Sequence, residues 1–229
     1  MMSFSRLAAS VLAGLLLWTG SARAELIDRG GGLIYDTVLN VTWMQDARYA
    51  ITSGASAPGS GMNWFDAKEW VTNLEFYDSV RGVTWTDWRL PSTINNSTSA
   101  GFDSSGLSSE LAFMYYVNLG FAANESLDRW DPEPTSTNYN PFTNIGYRSY
   151  WSETGADIPG RDWAWALHFH FGWQFLNDQY DQGYAWAVRD GDVAATGTSV
   201  PEPAGTILLA LGIGGLAVRR RAARSPVRH

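Results

Sequence analysis

The residues whose type and spacing could do chemistry are few, and the first two are His168 and His170, standing two apart in an aromatic run. Residues i and i+2 of a strand point to the same side, so two imidazoles so placed could supply two ligands to zinc or iron. A third His or carboxylate would have to converge on them. The plainer arrangement leaves both on the solvent side, opposite Phe169 and Phe171. Two acidic stretches, Asp128-x-x-Asp131-x-Glu133 and Asn177-Asp178-x-x-Asp181, concentrate the oxygen donors that calcium takes. Neither follows the spacing of an EF-hand loop, and solvated carboxylates are the default for such runs. The chain contains no cysteine, which excludes thiol catalysis, cysteine-ligated zinc and iron–sulfur centres. No serine sits in a nucleophile-elbow context. Gly30-Gly31-Gly32 is followed by no helix and no phosphate-loop lysine, so it does not read as a nucleotide site. Glycoside hydrolysis needs two carboxylates about 5–10 Å apart across a cleft, a distance that sequence alone cannot supply. The expectation is therefore no enzyme, no catalytic residue and no resident cofactor, with Asn177, Asp178 and Asp181 as the calcium candidates.

Aromatic side chains are the other chemical resource. Twelve of the 229 residues are tryptophan, and all but Trp18 lie in the central region. The C–H faces of sugars stack on such rings. Periodic stripes assign Trp64, Trp70, Trp163 and Trp165 to packing. Trp130, in an acidic proline-rich loop, and Trp173, beside an expected turn, are the candidates for a ligand surface.

The elements that would position these groups can be read from pattern. Leu33-Ile34-Tyr35 and Val41-Thr42-Trp43 around a polar turn predict a hairpin. Asn63 can cap a helix running from 64 to about 74, with Trp64, Ala67, Trp70, Val71 and Leu74 on one face and Asp66 in the first turn. A second helix is expected over 107–119, with Leu107, Leu111, Met114 and Tyr115 facing inward and Gly120 as its stop. Residues 92–105 and most of 124–141 read as irregular chain. Over 163–173 large and small residues alternate with period two, and a turn near Gly172 leads to a return strand over 174–176. Residues 184–189 alternate likewise and close the domain. Strands and helices follow one another without a βαβ rhythm, which argues for α+β with an antiparallel sheet.

Both ends carry sorting features. Arg6 is followed by an apolar stretch over 7–18 and by Ala22-Arg23-Ala24, the small-x-small pattern of a signal peptidase site. Residues 1–24 are thus expected to be removed between Ala24 and Glu25. At the other end Val200-Pro201-Glu202-Pro203 precedes an uncharged run over 204–218, followed at once by Arg219-Arg220-Arg221. Such a basic stop keeps to the cytoplasmic side, which places the domain between the two ends outside. The run is short for a bilayer of about 30 Å and suits a transient hold in the inner membrane. Between these ends lie a domain over 25–192 and a linker over 193–199. The whole chain has a net charge of −7, but the central region holds nine basic against twenty-two acidic groups. That surface repels phosphate backbones and anionic headgroups, so nucleic acid is excluded as a partner and polyanionic glycans are disfavoured unless a divalent cation bridges them.

The tail, 200–229, resembles the PEP-CTERM sorting signal: a Pro-Glu-Pro motif, a short membrane helix and terminal arginines, in that order. The resemblance implies processing by an exosortase, after signal peptidase has acted at the other end, and a bacterial host that makes exopolysaccharide. In the domain, Gly32-Leu33-Ile34-Tyr35-Asp36, Trp43-Met44-Gln45, Trp64-x-x-Ala67, Asp87-Trp88-Arg89-Leu90-Pro91, Ser109-Glu110-Leu111, Tyr150-Trp151-Ser152, Ala164-Trp165 and the closing Tyr184-Ala185-Trp186-Ala187-Val188-Arg189 form an ordered series. Over roughly 26–190 this series resembles the Lcl C-terminal-like domain. The resemblance implies a C-type lectin-like fold, a small antiparallel sheet with two flanking helices and long loops. It also implies an exported, non-enzymatic surface or matrix protein associating with polysaccharide or envelope components. An extracellular glycan hydrolase and a purely structural adhesion protein are the alternatives.

Overall fold

The computed structural model describes residues 25–57, 59, 61–125 and 140–194. Trp130, the acidic stretch 128–133, the segment through Ala24 expected to be a signal, the expected sorting motif Val200–Pro203, the apolar run 204–218 and Arg219–Arg221 lie outside the described residues.

Three small antiparallel sheets and a few short helices build the domain, a mixed and mostly β arrangement. The first sheet joins β1 (Leu26–Asp28), β2 (Leu33–Asp36), β3 (Val41–Met44) and the last strand, β9 (Val188–Asp190), in the order β1-β2-β3-β9. The expected hairpin is β2–β3, with Leu33 opposite Met44 and Asp36 opposite Val41. Its turn is held by the Asp36 carboxylate, which accepts from the backbone N–H groups of Val38 and Leu39 at 2.9 and 3.0 Å. The glycine triplet lies before β2 in the left-handed region, where a side chain is strained. A Cβ on Gly31 would also come within 2.9 Å of the Asp78 carboxylate.

The second sheet is the pair β4 (Phe76–Asp78) and β5 (Val83–Trp85). Asp78 is fully buried there. Burial, the largest single influence, pushes its pKa up. Hydrogen bonds from Arg81, Trp85 and the backbone N–H groups of Arg81 and Val80 outweigh it and hold the carboxyl below its ordinary range.

The third sheet is β6 (Ser149–Ile158), β7 (Arg161–His168) and β8 (Trp173–Asp178). Among the described residues three short α-helices accompany the sheets. Helix α1 (Tyr49–Thr52) is one turn; α2 (Trp64–Thr72) begins at Asn63, whose side chain accepts from the Asp66 N–H at 2.9 Å. Ala67, Val71 and Leu74 of its expected stripe are buried, and Trp64 and Trp70 pack half-buried against the same core. Helix α3 (Glu110–Phe113) is capped by Ser109 and continues as a π-helical turn over Met114–Asn118.

The sequence expectations differ from this arrangement in four places. The second helix starts at Glu110 rather than near 107, because Ser109 is its cap, and Leu107 stands in solvent before it instead of facing inward. The strand over 163–173 stops at His168: opposite it, in register, is Trp173, and Phe169 to Gly172 form the connection. Residues 184–189 form a strand only from Val188, and the whole segment is buried rather than half-buried. The segment runs through the middle of the molecule. Tyr184 bonds to Ser149 and Trp151, the Met44 N–H donates to Ala187, and Val188 pairs with Arg89. The fourth difference is in the sheets, which are three small ones rather than one. The fully buried rings Trp43, Trp151, Trp186, Tyr115, Tyr150, Phe142 and Phe169 make up the centre. Among the described residues no helix is long and apolar enough to cross a membrane.

Candidate functional site

The connection between β7 and β8 carries the richest concentration of exposed rings. Because His168 pairs with Trp173, the four residues between them make a tight loop ending at Gly172, whose φ is +73°. The loop is clamped from below. The Tyr116 hydroxyl donates to the Gly172 carbonyl at 2.7 Å, and the Asn124 N–H donates to the Phe171 carbonyl at 2.8 Å. A Cβ on Gly172 would come within 2.5 Å of Tyr115 and Tyr116, so no larger residue fits without moving the loop.

A fourth segment extends this end of the sheet. Gly101 exchanges backbone hydrogen bonds with Gln174 at 2.8 and 2.9 Å in antiparallel register, which sets Phe102 opposite Trp173. The two rings meet edge to face, 4.8 Å between centroids. Phe102 is 39%, Phe171 42% and Trp173 45% exposed. His168, opposite Trp173 on its other side, shares that face of the sheet, and its ring lies 5.0 Å from Phe171. The result is a row of rings across the strand ends, held by backbone bonding. The polar stretch behind it is fixed by buried Gln174, whose amide donates to the Ser99 carbonyl and the Ser108 hydroxyl and accepts from Ser109.

His168 and His170 do not form a metal pair on a strand face. His170 lies in the loop, and its backbone N–H donates to Nδ1 of His168 at 3.2 Å, an acceptor role that requires this nitrogen to be unprotonated. Burial, aided by the neighbouring His170, lowers the His168 pKa and favours the same neutral form. Among the described residues no group of three His, Asp or Glu side chains could hold a metal ion. Of the calcium candidates, Asp178 accepts from the Tyr180 N–H at 3.0 Å and so shapes the turn after β8. Asn177 lies half-buried on β8, and Asp181 is exposed.

Acidic groups do gather elsewhere, around Arg89. Its guanidinium donates to both oxygens of Glu110 at 2.7 and 2.8 Å and to Asp190 at 2.7 and 3.1 Å. Glu110 also accepts from the Ser92 N–H at 2.7 Å, so both its oxygens are engaged in structure. Glu153 is the one acid nearby whose pKa is raised, first by burial and further by Glu110 and Asp190, while Arg89 and Lys68 oppose the rise. A carboxyl with a raised folded pKa holds its proton more tightly in the native state, so stability falls as pH climbs through the ordinary glutamate range to that raised value. Glu153→Gln should therefore raise the melting temperature near pH 7, with the gain shrinking toward about pH 4. A gain independent of pH would show that the charge of Glu153 is no burden.

A cleft of about 410 Å³ lies along α2 and is lined by Asp66, Glu69, Trp70, Met62 and Gln182 among others. Among the described residues its lining holds neither histidine nor a basic residue. Four of the domain's arginines are engaged with carboxylates: Arg29 with Asp192, Arg81 with Asp78, Arg89 with Glu110 and Asp190, and Arg189 with Asp87. Salt-linked in this way, they do little to offset the acidic excess toward a polyanion.

Trp173 is thus exposed beside the turn expected near Gly172. Phe102 was not expected there, because it is a lone aromatic in a polar run and its pairing with β8 is long-range; Gly101 just before it was the only local hint. Phe171 was expected inward and points out, since the strand ends three residues earlier.

No curated protein and no solved structure matches the chain. Residues 32–189 match the Lcl C-terminal domain. That span runs from the glycine ahead of β2 to the arginine of β9 and takes in every element of the three sheets except β1. The chain belongs to the Lcl C-terminal domain family.

Proposed function

We propose that this protein is an exported, non-enzymatic surface or matrix component that associates with extracellular polysaccharide through the ring row at the β7–β8 loop. The carrying observation is the set Trp173, Phe102 and Phe171, exposed together at one end of the third sheet beside a loop fixed from behind. Large apolar rings left in solvent on a rigid support favour a ligand with apolar faces and hydroxyl edges, which describes a sugar. The acidic excess favours a neutral glycan over a sulfated or uronic one. A C-type lectin-like ancestry for the fold is part of this reading.

Export and sorting complete the proposal. Signal peptidase cuts between Ala24 and Glu25. The run 204–218 holds the chain in the inner membrane, stopped by Arg219–Arg221, until an exosortase acts near Val200-Pro201-Glu202-Pro203. The mature product then resides at the cell surface or in the matrix.

A glycan array probed with the protein, with and without calcium, tests the binding claim. Trp173→Ala should weaken binding about three- to ten-fold without lowering the melting temperature, since one exposed stacking contact is removed. Absence of binding to any glycan, including the host's own polysaccharide, would sink it. One observation favours a second reading, an extracellular glycan hydrolase: the raised pKa of Glu153 is what a general acid needs. Turnover of host polysaccharide abolished in Glu153→Gln would establish that reading in place of the first. Capture of a protein partner with no glycan signal would instead point to structural adhesion.

A further inference from the structure

A second set of exposed rings lies at the far end of β8. Tyr180, just past the strand, is 66% exposed, and Phe65, the second residue of α2, is 43% exposed. Their centroids are 5.4 Å apart, and Phe65 meets Trp64 edge to face at 5.5 Å. Lys68 lies 4.8 Å over the Trp64 ring.

The register shows that both sets border the same face of the third sheet. Trp173, Phe175 and Asn177 share one face of β8 by period two. Asn177 pairs with Ala164, and Ala164 with Gly155, so these three form one row on that face. A Cβ on Gly155 would come within 3.6 Å of Trp64, which therefore lies over the Gly155 end of that row. From Trp173 to Asn177 the strand advances about 14 Å at roughly 3.4 Å per residue, and the Phe65–Tyr180 pair lies beyond Asn177. Toward β6 this face is closed, with Trp151, Ala164 and Ala166 buried, and between the two ends its β8 rim offers the half-buried ring of Phe175 and the half-buried amide of Asn177. On its outer side β8 is bridged only at Gln174, among the described residues.

We infer that β8 is the floor of a linear track, with rings at each end and an amide between, for an extended neutral polysaccharide. Resting on the glycan reading above, this makes the ligand a chain several sugars long rather than a terminal sugar or a disaccharide. The spacing of the ring sets exceeds what one sugar can span, so a short ligand engages only the Trp173 end. A longer one engages Phe65 and Tyr180 as a second contact whose effective concentration is set by the chain itself. The domain's acidic excess selects the uncharged polymer.

The test uses the full chain and size-fractionated neutral fragments of the host's own exopolysaccharide, measured by calorimetry. Affinity should rise at least about ten-fold from the shortest fragments to long ones. Tyr180→Ala and Phe65→Ala should each remove most of that gain while leaving short-fragment affinity and the melting temperature unchanged. Trp173→Ala should weaken both. Affinity independent of length, or long-fragment binding untouched by Tyr180→Ala and Phe65→Ala while Trp173→Ala still weakens it, overturns the track but leaves the glycan reading standing. Binding of no fragment at all defeats the glycan reading, and the track with it.

Discussion

Replacing Trp186 with alanine is expected to lower stability by about 3–5 kcal/mol, the cost of removing a large core ring. Trp186 is fully buried, with ring centroids of Trp43, Phe142, Tyr150 and Phe169 at 5.0, 5.1, 5.6 and 6.1 Å. Its indole N–H donates to the Met44 carbonyl at 2.7 Å, so the substitution also strips a buried acceptor of its donor. Four rings and two sheets meet at this one side chain, and a cavity here has little freedom to collapse. For a domain of this size the loss corresponds to a melting point lower by roughly 10–15 °C. Far-ultraviolet circular dichroism on heating reads it directly. A drop of only two or three degrees would mean that the neighbouring rings refill the space, and that the centre is looser than its contacts imply.

Arg89→Met should cost about 2–4 kcal/mol at neutral pH, somewhat less than a fully buried pair because the guanidinium is partly solvated. Burial is the largest influence on this guanidinium and works against its charge, yet Glu110 and Asp190 more than compensate and hold its pKa above the ordinary arginine value. Removing it leaves Glu110, with its side chain 12% exposed, facing Asp190 and Glu153 without a counter-charge. The penalty belongs mostly to the stranded carboxylate. It should shrink as pH falls toward about 4 and the acids take up protons. Glu110→Gln placed on top of Arg89→Met should recover part of the loss, and urea titrations of the four proteins at two pH values give the coupling. Additive losses that do not change with pH would show that Arg89 acts by packing alone.

Much of this was legible where the cause is local. Asn63 announced the start of α2 because a cap is a side chain bonding to its own backbone, and the β2–β3 hairpin followed from two β-prone runs around a polar turn, which Asp36 holds. The stretch from 163 kept its period of two as far as His168. Its end was less legible, because the number of residues in a loop follows from register against the next strand. The segment 184–189 misled for a related reason. Large residues alternating with alanine describe a strand with one wet face equally well as one enclosed on all sides, and alanine permits the close approach that enclosure needs. Of the candidate site, Trp173 was found through its neighbouring glycine. Phe102 and the Phe65–Tyr180 pair were not found, since each owes its surroundings to contacts with distant parts of the chain.

The enclosed closing segment has a bearing on how the domain comes into being. Trp186 and Met44 are 142 residues apart, and Thr42 reaches Gly191 across 149. A polypeptide delivered amino end first, from a ribosome or through a translocation channel, presents Trp43 and Tyr150 long before the residues that will lie against them. Until residues 183–190 arrive, β3 has an unpaired edge and the interior lacks one wall. Early compaction is therefore discouraged until residues 183–190 are in place.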